Sequence, residues 1–170
     1  MPVQSGRVTS NFMLWVVVFG MLTLCALLSG LKFPPSEWCD LIERPAWTPP
    51  NYVFPIVWST LYIFMAIAGA LVWTAYSNKV IPVILWFVQL ALNGIWSWLF
   101  FGEHRIDAAL VDIGVLVIVV AAFIWFSWRS SKGAALLFVP YLAWICVAFA
   151  LNAHVWMLNG WPMGIYDPFL

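Results

Sequence analysis

Charged residues are scarce in this sequence. Its 170 residues include seven Lys and Arg and seven Asp and Glu, so 8% are charged while 65% are hydrophobic. A soluble domain has about 25% charged residues, because it must cover its outside with polar atoms. A surface that faces lipid has no such requirement. The composition therefore excludes a soluble globular protein and predicts an integral membrane protein.

The sequence also lacks the motifs of several functional classes. The formal net charge is zero, so there is no basic excess that would bind nucleic acid. The three cysteines, Cys25, Cys39 and Cys146, show no CxxC spacing, and His104 and His154 belong to no HExxH motif or cluster with carboxylates. GxSxG, Walker and GxGxxG motifs are absent, and no internal repeat is apparent. We therefore expect no metal site and no resident cofactor.

Long apolar runs dominate what is present. A helix needs about 20 mostly apolar residues to cross a hydrocarbon core of about 30 Å. Five runs meet this length, and they do not resemble the short alternating segments of a membrane barrel. The sequence predicts an all-α integral membrane protein, a bundle of five transmembrane helices in a single domain over residues 1–170, with helices near 11–31, 55–76, 80–101, 108–128 and 134–156.

The first connection, residues 32–54, differs from the others. The later connections are short, so successive helices must be antiparallel neighbours. This one has 23 residues, with five prolines and the aromatic residues Trp38, Trp47 and Tyr52. A loop of this length inside a compact protein is usually functional. We expect it to fold over one end of the bundle and cap it.

Tryptophan is unusually frequent, with 13 copies. The copies near span ends fit the aromatic belt at a membrane interface, but others recur beside polar residues. In the third run, spacings of three and four residues place a group on one helix face: Trp86, Gln89, Asn93, Trp96 and Phe100. Its amides either form hydrogen bonds between helices or belong to the wall of a small-molecule pocket.

The second and fifth runs carry matching stripes. One consists of Phe54, Trp58, Tyr62 and Met65, and the other of Tyr141, Trp144, Ala148 and Asn152. Asp112 is the only acid at depth in a run, where it either has a function or bonds to a neighbouring helix. The stripes offer aromatic faces that suit a flat, apolar ligand.

Several motifs carry a resemblance to a known family. They are Arg44-Pro-Ala-Trp-Thr-Pro-Pro50, Phe54-Pro-Ile-Val-Trp-Ser-Thr-Leu-Tyr62, Gln89-Leu-Ala-Leu-Asn93, Phe100-Phe-Gly102, Ala109-Leu-Val-Asp112 and Pro140-Tyr-Leu-Ala-Trp144. The sequence resembles the translocator protein family, whose members are also called tryptophan-rich sensory proteins or peripheral benzodiazepine receptors. It looks like a bacterial-type member, and the motifs cover nearly the whole chain in the family's order.

The resemblance implies a five-helix bundle, often dimeric, whose first loop closes over a cavity for protoporphyrin, sterol-like molecules and synthetic ligands. It implies that bacterial members sense or carry tetrapyrroles. Some members are expected to convert protoporphyrin in light with two cavity tryptophans, which correspond here to Trp58 and Trp144. The ligand-binding positions that carry over from the family are Trp47, Phe54, Val57, Asn93, Trp96, Ala108, Val111, Val115, Ala148 and Leu151. We expect Trp58, Trp144 and the stripe residue Tyr62 to bind the ligand as well.

The chain departs from the family at two points. A sterol-recognition pattern needs a tyrosine followed by a basic residue, where this chain has Ala153 and Met157. The minimal sterol pattern is therefore absent, which puts sterol binding in doubt. Ala108 stands where tryptophan is often found, so that wall of the cavity is wider.

A porphyrin also needs polar partners for its propionates, and the loop side offers Lys32, Arg44 and Arg105. The interpretation that follows is a membrane protein that binds protoporphyrin-like tetrapyrroles as a sensor, carrier or regulator, in contact with lipids. The alternatives are a light-dependent porphyrin-degrading enzyme, a sterol or lipid transporter, and a purely structural adaptor. Ala66 and Ala70 would allow close helix approach, so we expect a homodimer. The expected location is a bacterial cell membrane, or the mitochondrial outer membrane in a eukaryote.

Overall fold

The structure, a computed structural model, describes residues 4–32, 38–75 and 77–159, and among them the side chains of 12–28, 32, 38–75 and 77–159. This part of the chain is helical and contains no strand, which confirms the predicted all-α class. The elements are α1 (Gln4–Leu31), α2 (Trp38–Leu41), α3 (Val53–Trp73), α4 (Val80–Ser97), a π-helical turn that extends α4 (Trp98–Gly102), α5 (Ile106–Ser130) and α6 (Lys132–Asn159).

Four helices in the described ranges are long and apolar enough to cross a membrane: Val53–Trp73, Val80–Gly102, Ile106–Ser130 and Lys132–Asn159. In α1 the described side chains give a shorter apolar stretch, Phe12–Leu28. Large apolar side chains also cover the outside of the bundle, and such a surface is stable only against lipid. The protein is therefore a multi-pass membrane protein. A fifth span formed by α1 stays a prediction.

Short connections make consecutive helices neighbours. One residue, Ser131, joins α5 to α6, and these two helices pack along each other. α4 packs on α5, α3 packs on α6, and α1 lies against α3 and α4. Aromatic rings fill the interior: Phe123 of α5 stacks on Phe138 of α6 with 3.9 Å between ring centroids. Ala66 and Ala70 are buried in this core, so a homodimer would need another surface.

Gly69 lets α3 approach α1 closely. A Cβ atom built at this position would lie 2.4 Å from Cδ1 of Phe19, which is closer than two carbon atoms can approach without strain. The Phe19 ring has little freedom to move away, because it is buried and its edge packs on Trp86 with centroids 4.6 Å apart. A side chain at position 69 would therefore push the two helices apart.

We expect Gly69→Ala to destabilise the protein by about 1–3 kcal/mol, the usual cost of overpacking a core. The measurement is the midpoint of thermal unfolding in detergent. Gly20→Ala is the matched control, because a Cβ atom there meets nothing within 4 Å and alanine favours a helix over glycine by about 0.5–1 kcal/mol. Equal midpoints for the two variants would contradict the close packing of α1 on α3.

The end of α4 leaves regular α-helical geometry. Within the π-helical turn and just after it, the N–H of Glu103 donates to the carbonyl of Trp98 at 2.9 Å, and the N–H of Arg105 donates to Leu99 at 2.8 Å. His104 has a positive φ of 55° and carries the chain from this turn into α5. Short π-helical turns are frequent at functional sites, and this one places aromatic side chains next to the first loop.

Candidate functional site

A pocket lies near one end of the bundle, next to the first loop. Its volume is about 160 Å³, and its walls come from the loop, the start of α3, the end of α4 and the second half of α6. The lining residues are Cys39, Ile42, Arg44, Thr48, Asn51, Phe54, Trp96, Phe100, Phe101, Ala148, Leu151, Asn152 and Val155. Four predicted ligand-binding residues are among them: Phe54, Trp96, Ala148 and Leu151.

The α4 side of the pocket is an aromatic wall. The rings of Trp96 and Phe100 stack with centroids 5.1 Å apart and an angle of 22° between their planes. The indole N–H of Trp96 donates to Oδ1 of Asn152 at 3.0 Å, and Nδ2 of Asn152 donates to the carbonyl of Ile106 at 3.0 Å. The wall is thus fixed by hydrogen bonds that connect α4, α6 and α5, and its open ring faces are apolar.

Hydrogen bonds connect the described part of the first loop to the end of α6. The backbone N–H of Glu43 donates to Oδ1 of Asn159, and Nδ2 of Asn159 donates back to the Glu43 carbonyl, both at 3.0 Å. The indole N–H of Trp47 donates to Nδ1 of His154 at 3.1 Å. Trp47 therefore contacts the end of α6 and is not in the pocket lining. Its hydrogen bond connects the loop to α6.

Among the described residues, Arg44 is the only charged side chain in the pocket lining. Its Nη2 donates to the carbonyl of Cys39, and Asp40 lies 3.9 Å away with a side chain that is 88% exposed. Arg105, the other loop-side arginine in a described range, is not in the lining. It forms two hydrogen bonds of 2.9 and 2.8 Å with Asp107, and these raise the pKa of Arg105.

Behind the pocket, polar side chains connect three helices. The hydroxyl of Tyr62 donates to Oδ1 of Asn93 at 3.0 Å, and Nδ2 of Asn93 donates to the hydroxyl of Tyr141 at 3.2 Å. Asn93 is buried, and its amide is engaged on both sides. In this structure Asn93 and Tyr62 therefore join helices and do not line the pocket. Gln89 is fully buried, and its amide has no hydrogen-bond partner in the described part of the chain.

The two tryptophans of the enzymatic hypothesis lie next to the pocket but outside its lining. The Trp144 ring meets the edge of Phe54, a pocket residue, with centroids 5.7 Å apart. The Trp58 ring lies 5.7 Å from Tyr62 and 6.2 Å from Tyr141. Trp144 and Val57 line a separate, lipid-facing groove between α3 and α6.

The predicted residues of α5 lie away from the pocket. Val111 is 69% exposed and Val115 is 44% exposed, so both are on the outer face of the bundle. Ala108 is half-buried, and it also is not in the lining. A role of these three in ligand binding stays a prediction.

Several lining residues were not predicted from the sequence. Val155 follows Leu151 by four residues, so the helical periodicity of α6 is a signal that could have identified it. Phe101 gave no such signal, because a regular helix would point it away from the face of Phe100. The loop residues Thr48 and Asn51 have no periodicity at all.

Within the described ranges, no group of three or more His, Cys, Asp or Glu could hold a metal ion.

The fold and the pocket define a multi-pass helical membrane protein with an aromatic-lined pocket at one end of its bundle. Comparison with known proteins identifies the family. Residues 12–157 match the TspO/MBR family, and the chain belongs to this family. The resemblance read from the sequence motifs is confirmed.

Relatives from bacteria and animals match most of the chain. It is 40% identical to Protein CrtK of Rhodobacter capsulatus over 145 residues, which are 84% of this chain and 91% of the relative. It is 34% identical to the tryptophan-rich sensory protein of Cereibacter sphaeroides over 147 residues, 85% of this chain and 92% of the relative. It is 39% identical to the human translocator protein over 162 residues, 88% of this chain and 95% of the relative.

Proposed function

We propose that this protein binds protoporphyrin-like tetrapyrroles in the pocket beneath its first loop and acts as their sensor or carrier, with no cofactor of its own. The observation that carries the proposal is the composition of the pocket. Trp96, Phe100, Phe101 and Phe54 supply ring faces and edges, and Arg44 supplies the one charge among the described lining residues. A flat, apolar macrocycle with acidic side chains requires this combination of aromatic surface and a few oriented polar groups.

The loop must shift to admit a ligand of this size. The pocket has about 160 Å³, whereas sites for drug-sized ligands have roughly 300–1,000 Å³. Hydrogen bonds with Asn159 and His154 connect the loop to α6, and each contributes about 0.5–1.5 kcal/mol net. Trp38 also packs on Phe100 and stacks on His104, so lifting the loop breaks these ring contacts as well as the hydrogen bonds. In this proposal the loop caps the bundle and opens to widen the pocket.

The remaining features of the proposal concern assembly and location. We include α1 as a fifth span, a homodimer, and lipid around the exposed faces. Relatives carry the names tryptophan-rich sensory protein and translocator protein, which agree with sensing or carrying a ligand in a membrane. We place the protein in a bacterial cell membrane, or in the mitochondrial outer membrane if its source is eukaryotic.

The test is a titration of the detergent-purified protein with protoporphyrin in the dark, followed by the quenching of tryptophan fluorescence. We expect saturable quenching with a Kd in the micromolar range or below, which corresponds to about −8 kcal/mol or better. Free N-acetyltryptophanamide in the same micelles controls for inner-filter and collisional effects. If the quenching of the protein's fluorescence rises without saturation, as the quenching of the free indole does, the proposal is overturned.

One observation favours a second function, the light-dependent conversion of a bound porphyrin. Trp144 contacts the pocket residue Phe54, so an oxidisable ring lies one side chain away from the proposed ligand. The ring of Trp58 contacts Tyr62 and Tyr141. Binding and conversion would use the same pocket, and they can be separated by measuring the protein in the dark and in light.

A further inference from the structure

The polar atoms of the pocket are concentrated on one side. Arg44, Thr48 and Asn51 all belong to the first loop. On the helix side, the one polar lining residue is Asn152, and its amide is already bonded to Trp96 and Ile106. The Thr48 hydroxyl donates to the carbonyl of Pro45 at 2.7 Å, so on the loop side Arg44 and Asn51 are the lining residues with donors free for a ligand, and the helix side offers a ligand mainly apolar surface.

The charge of Arg44 is poorly compensated. Nη2 of its guanidinium group donates to the carbonyl of Cys39. Its acidic neighbour Asp40 is 3.9 Å away and almost fully exposed, whereas the Arg44 side chain is 36% exposed. An exposed pair at this distance contributes little. No other hydrogen bond of Arg44 is found within the described residues, so most of its five donors are unused.

We propose that Arg44 is the residue that selects ligands by charge, by binding a carboxylate of the ligand at the loop side of the pocket. The identity of the ligand as a tetrapyrrole rests on the function proposed above. The guanidinium fork matches the two oxygens of a carboxylate. Binding in this way orients the ligand, with its acidic edge toward the loop and its apolar body against Trp96 and Phe100. The pocket then prefers a propionate-bearing macrocycle to a neutral one of the same shape.

The experiment compares protoporphyrin with its dimethyl ester, which keeps the ring and removes both negative charges. Each is titrated in the dark into the wild-type protein, Arg44→Gln and Arg105→Gln, and the ratio of ester Kd to acid Kd is taken for each protein. Arg105 is the matched control, because it is an arginine outside the pocket that is paired with Asp107. The ester partitions more strongly into detergent, but this affects every protein equally.

We expect the ratio to be about tenfold to hundredfold lower in Arg44→Gln than in the wild type, as a lost charge-assisted hydrogen bond would give. In Arg105→Gln it should equal the wild-type ratio, and in Arg44→Lys it should recover in part. A general disturbance of the loop would weaken both ligands and leave the ratio unchanged. If Arg44→Gln binds neither ligand, Arg44→Met, which keeps an apolar stem, is compared in its place.

The outcomes separate this inference from the proposed function. Equal ratios in the wild type and in the Arg44 variants, with saturable binding of both ligands, would overturn the role of Arg44 and leave porphyrin binding intact. A lower ratio in Arg105→Gln as well would mean that overall charge, and not the pocket arginine, selects the ligand. Saturable binding of neither ligand to the wild type would overturn the proposed function itself.

Discussion

Ala148→Phe is expected to weaken the binding of protoporphyrin in the dark by about tenfold to hundredfold. Ala148 lines the pocket on the α6 side. A phenyl ring at this position would fill much of a pocket of about 160 Å³. The ligand would then have to displace the ring, at the cost of about 1–3 kcal/mol that is typical of overpacking. The measurement is the Kd from tryptophan-fluorescence quenching.

Ala150→Phe is the control for this change. It is the same substitution two residues further along α6, at an exposed position outside the pocket lining. We expect its Kd to remain within about threefold of the wild type, because an apolar side chain that faces lipid has little effect on the interior. If the two variants bound protoporphyrin equally, the ligand site would have to lie elsewhere.

The class of fold could be predicted from the sequence because lipid imposes a simple requirement. Every residue of a span must be compatible with hydrocarbon or with a neighbouring helix, so the spans appear as long runs of apolar residues. α3 begins at Val53, whereas the apolar run predicted a start at residue 55. α6 extends to Asn159, whereas the apolar run predicted an end at residue 156. The polar ends differ because α6 continues beyond the apolar run to bind the loop through Asn159.

The site was only partly predictable, and periodicity explains the difference. Phe54, Trp96, Ala148 and Leu151 lie on helices, where spacing and family resemblance together identify one face. The loop residues follow no period, since their positions depend on bonds to distant residues such as His154. The π-helical turn also escaped prediction, because it is a local departure from the 3.6-residue repeat on which the stripes depend.

Asn93 illustrates why a polar stripe allows two interpretations. Its spacing from Trp96 predicts a shared helix face, which agrees with both a pocket wall and an interhelical bond. In the structure, Asn93 binds Tyr62 and Tyr141, while Trp96 lines the pocket. The hydrogen bonds of Asn93 show the interhelical role directly, and a role of Asn93 and Tyr62 in ligand binding stays a prediction.

For the proposed light-dependent function, replacing both Trp58 and Trp144 by phenylalanine is expected to abolish the loss of bound protoporphyrin under illumination. The Kd for protoporphyrin in the dark should change by less than about threefold. An excited porphyrin can take an electron from an indole ring, and phenylalanine is a much poorer electron donor. The indole N–H of Trp144 makes no hydrogen bond within the described residues, and phenylalanine can keep the ring contacts of both positions. The double variant should therefore fold and bind.

The measurement is porphyrin absorbance followed over time under illumination, with each protein saturated with ligand. Trp125→Phe combined with Trp128→Phe is the matched control, because these rings are 73% and 48% exposed on the outer face of α5, away from the pocket. Unchanged loss in the Trp58 and Trp144 variant would refute their role. Equal loss with free porphyrin in empty micelles would mean that the protein does not catalyse the reaction. If only the Trp58 and Trp144 variant abolishes the loss, this would support electron transfer between the excited porphyrin and these two rings.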